Sequence, residues 1–107
     1  MSLEVATTPT EYAHIVRTLG IVGGEPRIAN TRIRVRDIML ARDTQGLTPE
    51  EIVATVYPHL SLAQIYAALA YYEDHRAEIA EFQNREQELL DVLLKNPQPF
   101  LQVKTEK

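Results

Sequence analysis

Between Gly46 and His75 the sequence spells out two helix starts and the corner between them, and few folds accommodate that arrangement. Thr48, Pro49 and Glu51 supply an N-cap, a proline at the first helical position and a capping-box carboxylate. The helix that follows carries Ile52, Val53 and Val56 as its apolar stripe. It must stop near Tyr57, because Pro58 disfavours helical geometry in its predecessor and has no N–H to donate. Pro58, His59 and Leu60 make the corner. Ser61 and Gln64 then repeat the capping box, and Leu62, Ile65, Leu69 and Tyr72 recur at helical spacing among alanines. This is the helix-turn-helix arrangement in its general sense. Ser61, Gln64, Ala67, Tyr71 and Asp74 are expected on the outer side of the second helix.

Upstream, residues 1–10 read as a loosely held arm, and Tyr12 to Thr18 reads either as a strand or as a single helical turn. Arg27-Ile28 and Thr31 to Val35 predict two short strands with Ala29-Asn30 as the bend. Asn30 takes the positive-φ position that glycine would otherwise fill. In the second strand Arg32 and Arg34 share one face and Ile33 and Val35 the other, an arginine comb backed by an apolar surface. A helix from Val35 or Arg36 to Thr44 follows, carrying Ile38, Met39 and Ala41, and Gly46 stops it.

Beyond His75 the periodic pattern continues through Ile79, Phe82, Glu86, Leu89 and Leu93 in a background of Glu, Gln and Arg. Asn96-Pro97 ends that helix and leaves an extended tail with Phe100, Leu101 and Val103. The expected fold is therefore mainly α. A short N-terminal β-hairpin precedes a three-helix helix-turn-helix core of winged-helix or homeodomain-like type, and a C-terminal amphipathic helix follows. Residues 1–76 form the hairpin and helix-turn-helix domain, and residues 77–107 the amphipathic helix and tail. So much apolar surface on a small chain predicts burial by a partner, in a homodimer or against another protein. The residues offered for that contact are Ile79, Phe82, Leu89, Leu90, Leu93, Phe100 and Leu101.

Totals narrow the function classes. At 107 residues with net charge −4 and no cysteine, one domain without disulfides or thiolate metal sites is expected. No apolar run is long enough to cross a bilayer, and the first residues lack the basic and apolar regions of a secretory signal, so the expected location is the cytoplasm. His14, His59 and His75 have no metal-ligand spacing, and Gly20, Gly23 and Gly24 precede no lysine-serine or lysine-threonine pair. No carboxylate pair sits alone in an apolar setting. Neither catalysis, nor a metal, nor a cofactor is expected.

Charge is unevenly spread. Residues 1–42 hold six arginines against Glu4, Glu11, Glu25 and Asp37, whereas residues 73–91 hold seven acids against Arg76 and Arg85. Arg27, Arg32, Arg34 and Arg36 are candidate contacts to double-stranded DNA, as phosphate anchors or base readers; alternatively they are a solvated edge that pairs with acids. Ser61 and Gln64 sit where a recognition helix would read bases, yet the capping box already accounts for both. Tyr57, Tyr66, Tyr71 and Tyr72 suit stacking on bases or the margin of a protein interface.

Three separated blocks give the chain a family likeness: Gly23-Gly24-Glu25-Pro26-Arg27-Ile28-Ala29-Asn30-Thr31-Arg32-Ile33-Arg34-Val35-Arg36-Asp37-Ile38, then Gly46-Leu47-Thr48-Pro49-Glu50-Glu51-Ile52, then Tyr57-Pro58-His59-Leu60-Ser61 with Ile65 to Tyr72. Over residues 12–76 the chain resembles the small bacterial proteins of domain of unknown function 433. That family generally has glycine where this chain has Asn30. The resemblance implies a hairpin followed by a helix-turn-helix, and the role of antitoxin beside a PIN-like ribonuclease toxin. The folded domain would then bind operator DNA, and the C-terminal region would block the toxin. The acidic helix and tail beyond Asp74 lie outside the shared blocks. A homodimeric DNA-binding regulator without a toxin, or a structural adaptor, are the alternatives.

Overall fold

A computed structural model describes residues 7–95. Three antiparallel strands come first: β1 (Thr7–Pro9), β2 (Ile15–Thr18) and β3 (Arg27–Ile28), in the order β1-β2-β3. Four helices follow: α1 (Val35–Asp43), α2 (Pro49–Glu51, continued by one π turn over Ile52–Val56), α3 (Leu62–Asp74) and α4 (Arg76–Lys95). The chain divides into two compact units between Arg76 and Ala77.

The first unit is organised by α3. This helix touches α1, α2 with its π turn, β2 and β3, so it is covered on two sides. Ile65, Ala68, Leu69 and Tyr71 of α3 are buried together with Ile15 and Ile28 of the sheet, Val35, Ile38, Met39 and Ala41 of α1, and Ile52 and Leu60. Ile15 and Ile28 are cross-strand partners in the β2–β3 register and form the sheet's contribution to this core.

Both capping boxes are in place. Thr48 Oγ1 accepts the Glu51 N–H at 3.1 Å while the Glu51 carboxylate accepts the Thr48 N–H at 2.9 Å. Ser61 and Gln64 repeat the exchange at 3.2 and 2.8 Å. Between them Pro58 acts as the sequence predicts. Tyr57 leaves helical space (φ −129°, ψ 70°), its N–H returning to the Ile52 carbonyl as a π turn, and Leu60 N–H closes the corner on Tyr57 at 3.0 Å. Gly46, at φ +71°, ends the α1 region, with the Gly46 and Leu47 N–H groups reaching back to Arg42 and Ala41.

Three expectations need correction. Thr7–Pro9 of the supposed arm is an edge strand, paired Thr7↔Thr18, Thr8↔Arg17 and Pro9↔Val16. It ends in Pro9, which lacks the donor a further strand would need. The segment Thr31 to Val35 pairs with Arg27-Ile28 but is too tightly bent to form a full strand; only an Arg27↔Arg34 bridge remains. Tyr71, expected outside, is 2% exposed. The single stripe Leu62-Ile65-Leu69-Tyr72 describes a helix buried on one side. Here α3 is buried on two, so Ala68 and Tyr71 are covered as well, and Leu62 lies 40% exposed.

Removing the second cap by Ser61→Ala lowers stability by about 1 kcal/mol, whereas Ile65→Ala at the centre of the core costs about 2–5 kcal/mol. Urea unfolding checks both. A larger loss from Ser61→Ala than from Ile65→Ala would contradict the central place given to α3.

Candidate functional site

The arginine-rich hairpin is built from backbone pairing between Pro26 and Val35. Val35 N–H donates to Pro26 at 2.9 Å and Ile28 N–H to Ile33 at 2.9 Å. Asn30 sits at φ +66° in a turn closed by Thr31 N–H on Ile28 at 3.1 Å, the position assigned to it from sequence. Thr31 Oγ1 locks the tip by donating to the Ile28 carbonyl and accepting the Ile33 N–H.

This geometry disperses the arginines. Arg27 is 7% exposed on the sheet face opposite Ile15; its Nη1 donates to the Thr31 carbonyl at 2.8 Å and its Nη2 to Thr18 Oγ1 at 2.5 Å. Arg36 is equally buried and grips the buried Glu25 carboxylate with two bonds of 2.8 Å. Arg34, half-buried, donates to both oxygens of Asp37 at 3.1 and 2.8 Å, and its Nη1 lies 3.6 Å from Glu25. The Asp37 bond raises the Arg34 pKa above its ordinary value. Arg32 is exposed. The four arginines therefore do not form one comb: two are structural, one closes the N-terminus of α1, and one faces solvent.

On α3, Ser61 and Gln64 are held in their reciprocal cap. The outer surface of the helix is Leu62, Ala63, Tyr66 and Ala70, with the Tyr66 hydroxyl donating to Glu50 at 3.2 Å. α3 contains no lysine or arginine. Toward its end, Tyr71 stacks on His75 with ring centres 4.1 Å apart and meets Tyr12 edge-on at 5.3 Å. Arg17 donates to the Tyr71 hydroxyl, and the Tyr12 hydroxyl donates to Asp74. That carboxylate pushes the Tyr12 pKa up to about 12. On the neighbouring flank the Tyr72 ring is flanked by the guanidinium groups of Arg42 and Arg76, at 5.7 and 5.0 Å, and Glu73 bonds both arginines. Sequence reasoning missed both tyrosine clusters; the only signal for them is the adjacency of Tyr71 and Tyr72, which on a helix face two different sides.

In the second unit, α4 is a 20-residue helix with Ile79 as its one buried residue. Phe82 and Leu93 are half-buried, and Leu89, Leu90, Val92 and Leu94 are 58%, 43%, 59% and 77% exposed. The expected contacts Phe100 and Leu101 lie outside the described residues. Between residues 77 and 95 the acids Glu78, Glu81, Glu86, Glu88 and Asp91 outnumber Arg85 and Lys95. Among the described residues no group of three His, Asp or Glu could hold a metal ion, and no helix is long and apolar enough to cross a membrane.

Two measurements check these contacts. Glu25→Gln strips the buried Arg36 of its counter-charge and lowers stability by about 3–5 kcal/mol; a loss below that of Ser61→Ala would contradict the pairing. For Tyr12, the raised folded-state value means that its bond to Asp74 contributes fully below the ordinary value of 10.0 and is lost as pH rises through about 12. In a phenolate absorbance titration, Tyr12→Phe removes a step near pH 12. Persistence of that step would contradict the assignment.

Comparison with known proteins matches these elements. The family model described as a protein of unknown function, DUF433, covers residues 15–72, from β2 through most of α3. A solved DUF433 member from Anabaena variabilis ATCC 29413 is 38% identical, with a TM-score of 0.55, over 64% of this chain and 65% of that chain. The match thus spans just under two thirds of that relative's length. No functionally curated protein matches this chain. With β2, β3, the hairpin and both capping boxes inside the matched segment, which spans more than half of the chain, the chain belongs to the DUF433 family.

Proposed function

We propose that the chain is an antitoxin-like protein, a DUF433 module that presents α4 to a PIN-like ribonuclease and blocks it by protein–protein contact. The observation that carries this reading is the surface of α4, where Leu89, Leu90 and Leu94 are exposed among an excess of acids. A helix of this length that buries only Ile79 gains little from its own packing. Its occupant is a groove lined with apolar side chains and rimmed with cations, the charge that a surface built to hold RNA must carry.

Operator binding draws less support from the geometry. Arg27 and Arg36 are buried, Arg34 is tied to Asp37 and Glu25, and Ser61 and Gln64 cap each other. Arg32 alone among the candidate arginines presents an exposed guanidinium, which gives one phosphate contact and no base-reading set.

The test is titration of the full chain into the ribonuclease encoded beside it, followed by cleavage of a fluorogenic RNA. The expected result is stoichiometric inhibition, weakened at least about 100-fold by the pair Leu89→Glu and Leu90→Glu at unchanged helical content. Absence of a ribonuclease neighbour, or cleavage unaffected by the wild-type chain, would overturn the reading.

A further inference from the structure

The break between α3 and α4 is not written in the backbone. From Leu62 to Lys95 the chain has neither glycine nor proline, and Glu73, Arg76, Ala77 and Glu78 beside the break all favour helix. Yet α3 ends at Asp74, α4 begins at Arg76, and His75 stands between them at φ −133°, ψ 40°.

A side chain makes this break. In a helix running through, the His75 N–H would donate to the Tyr71 carbonyl and the Arg76 N–H to that of Tyr72. Here His75 Nδ1 takes the Tyr71 carbonyl at 3.0 Å, and the His75 N–H goes to Tyr72 at 3.1 Å. A carbonyl only accepts, so Nδ1 carries the hydrogen. Side chain and helix thus compete for one acceptor. Both carbonyls are satisfied in either arrangement, so hydrogen bonding nearly cancels between them. The hold on the ring decides. Tyr71 stacks on it at 4.1 Å with the planes 13° apart, and Tyr12 meets its edge at 5.8 Å. Both tyrosines are tied to the sheet. The Tyr12 N–H donates to Thr10 Oγ1 at 3.0 Å in the turn joining β1 to β2, its hydroxyl donates to Asp74, and the Tyr71 hydroxyl accepts from Arg17 of β2.

We infer that His75 is a two-state hinge latched from the sheet. In one state its ring holds the Tyr71 carbonyl and α3 stops. In the other the ring is released, position 75 becomes helical and α3 propagates into the first turn of α4. Any ligand of α4 or of the β1–β2 turn that prefers one state shifts the hinge by that difference in affinity. The device stands whether or not α4 meets a ribonuclease.

NMR on the full chain tests it. In wild type, relaxation dispersion at residues 74–77 finds a minor state of about 0.1–10% with helical Cα shifts. His75→Phe keeps a ring and a similar helix propensity but has no donor; the helical state becomes the major one, and the amides of positions 75 and 76 exchange at least about tenfold more slowly. His75→Asn, again of similar propensity, returns an N–H donor to the δ position and keeps the break. Non-helical Cα shifts at position 75 in His75→Phe, or helical ones in His75→Asn, would overturn the inference. So would the absence of exchange at residues 74–77 in wild type, an arm that needs no substitution and stands if a variant fails to fold.

Discussion

The two-sided burial of α3 is the constraint on which the first unit depends. One flank of the helix meets the sheet, through Tyr71 and Arg17, and another meets α1, where Tyr72 lies between Arg42 and Arg76. Small residues on the covered sides of the helix let neighbours approach closely, and Ala68, buried, with Ala67, half-buried, provides that. The requirements then propagate outward. The corner at Pro58 must turn α2 onto α3, the hairpin must bring Ile28 beside Ile15, and α1 must start where its own apolar residues reach α3. The charged pairs serve this geometry: Glu25 with Arg36, and Arg34 with Asp37, tie the hairpin to the first turn of α1.

What was legible in the sequence was local chemistry. Thr48-Pro49-Glu51 and Ser61-Gln64 need only neighbours in the chain to act, and both helix starts are where those residues put them. Asn30 at positive φ and Tyr57 forced from the helix by Pro58 are likewise decided within a few residues. What was not legible was decided across the fold. Pairing of Thr7–Pro9 with β2 depends on chain folding back through a turn with His14 at φ +71°, which no periodicity announces. Tyr71 and Tyr72 carry the same local propensity, and only the position of the sheet makes Tyr71 the buried one.

The arginines illustrate the same division more sharply. Alternation along Thr31 to Val35 puts Arg32 and Arg34 on one side, as expected for a strand. The segment instead closes through the Thr31 hydroxyl, and each guanidinium finds a different fate: a threonine hydroxyl and a carbonyl for Arg27, Glu25 for Arg36, Asp37 for Arg34, solvent for Arg32. Part of an apparent basic patch is therefore spent on holding the family's shared motif together. The outer chemistry of the protein shifts to α4, which keeps acids and leucines at its surface and lies beyond the segment common to the family.

The claim at the centre of this account is that the DUF433 module is complete in itself while α4 awaits a partner. Amide hydrogen exchange on the full chain, alone and with the PIN-like ribonuclease of the proposed pair, tests that most directly. For the chain alone, amides of α3 exchange only through global unfolding, and those of Phe82 to Leu94 exchange orders of magnitude faster through local opening; with the ribonuclease present, the α4 amides slow while those of α3 are unchanged. Protection of α4 equal to that of α3 in the isolated chain, with no change on adding the ribonuclease, would contradict the account.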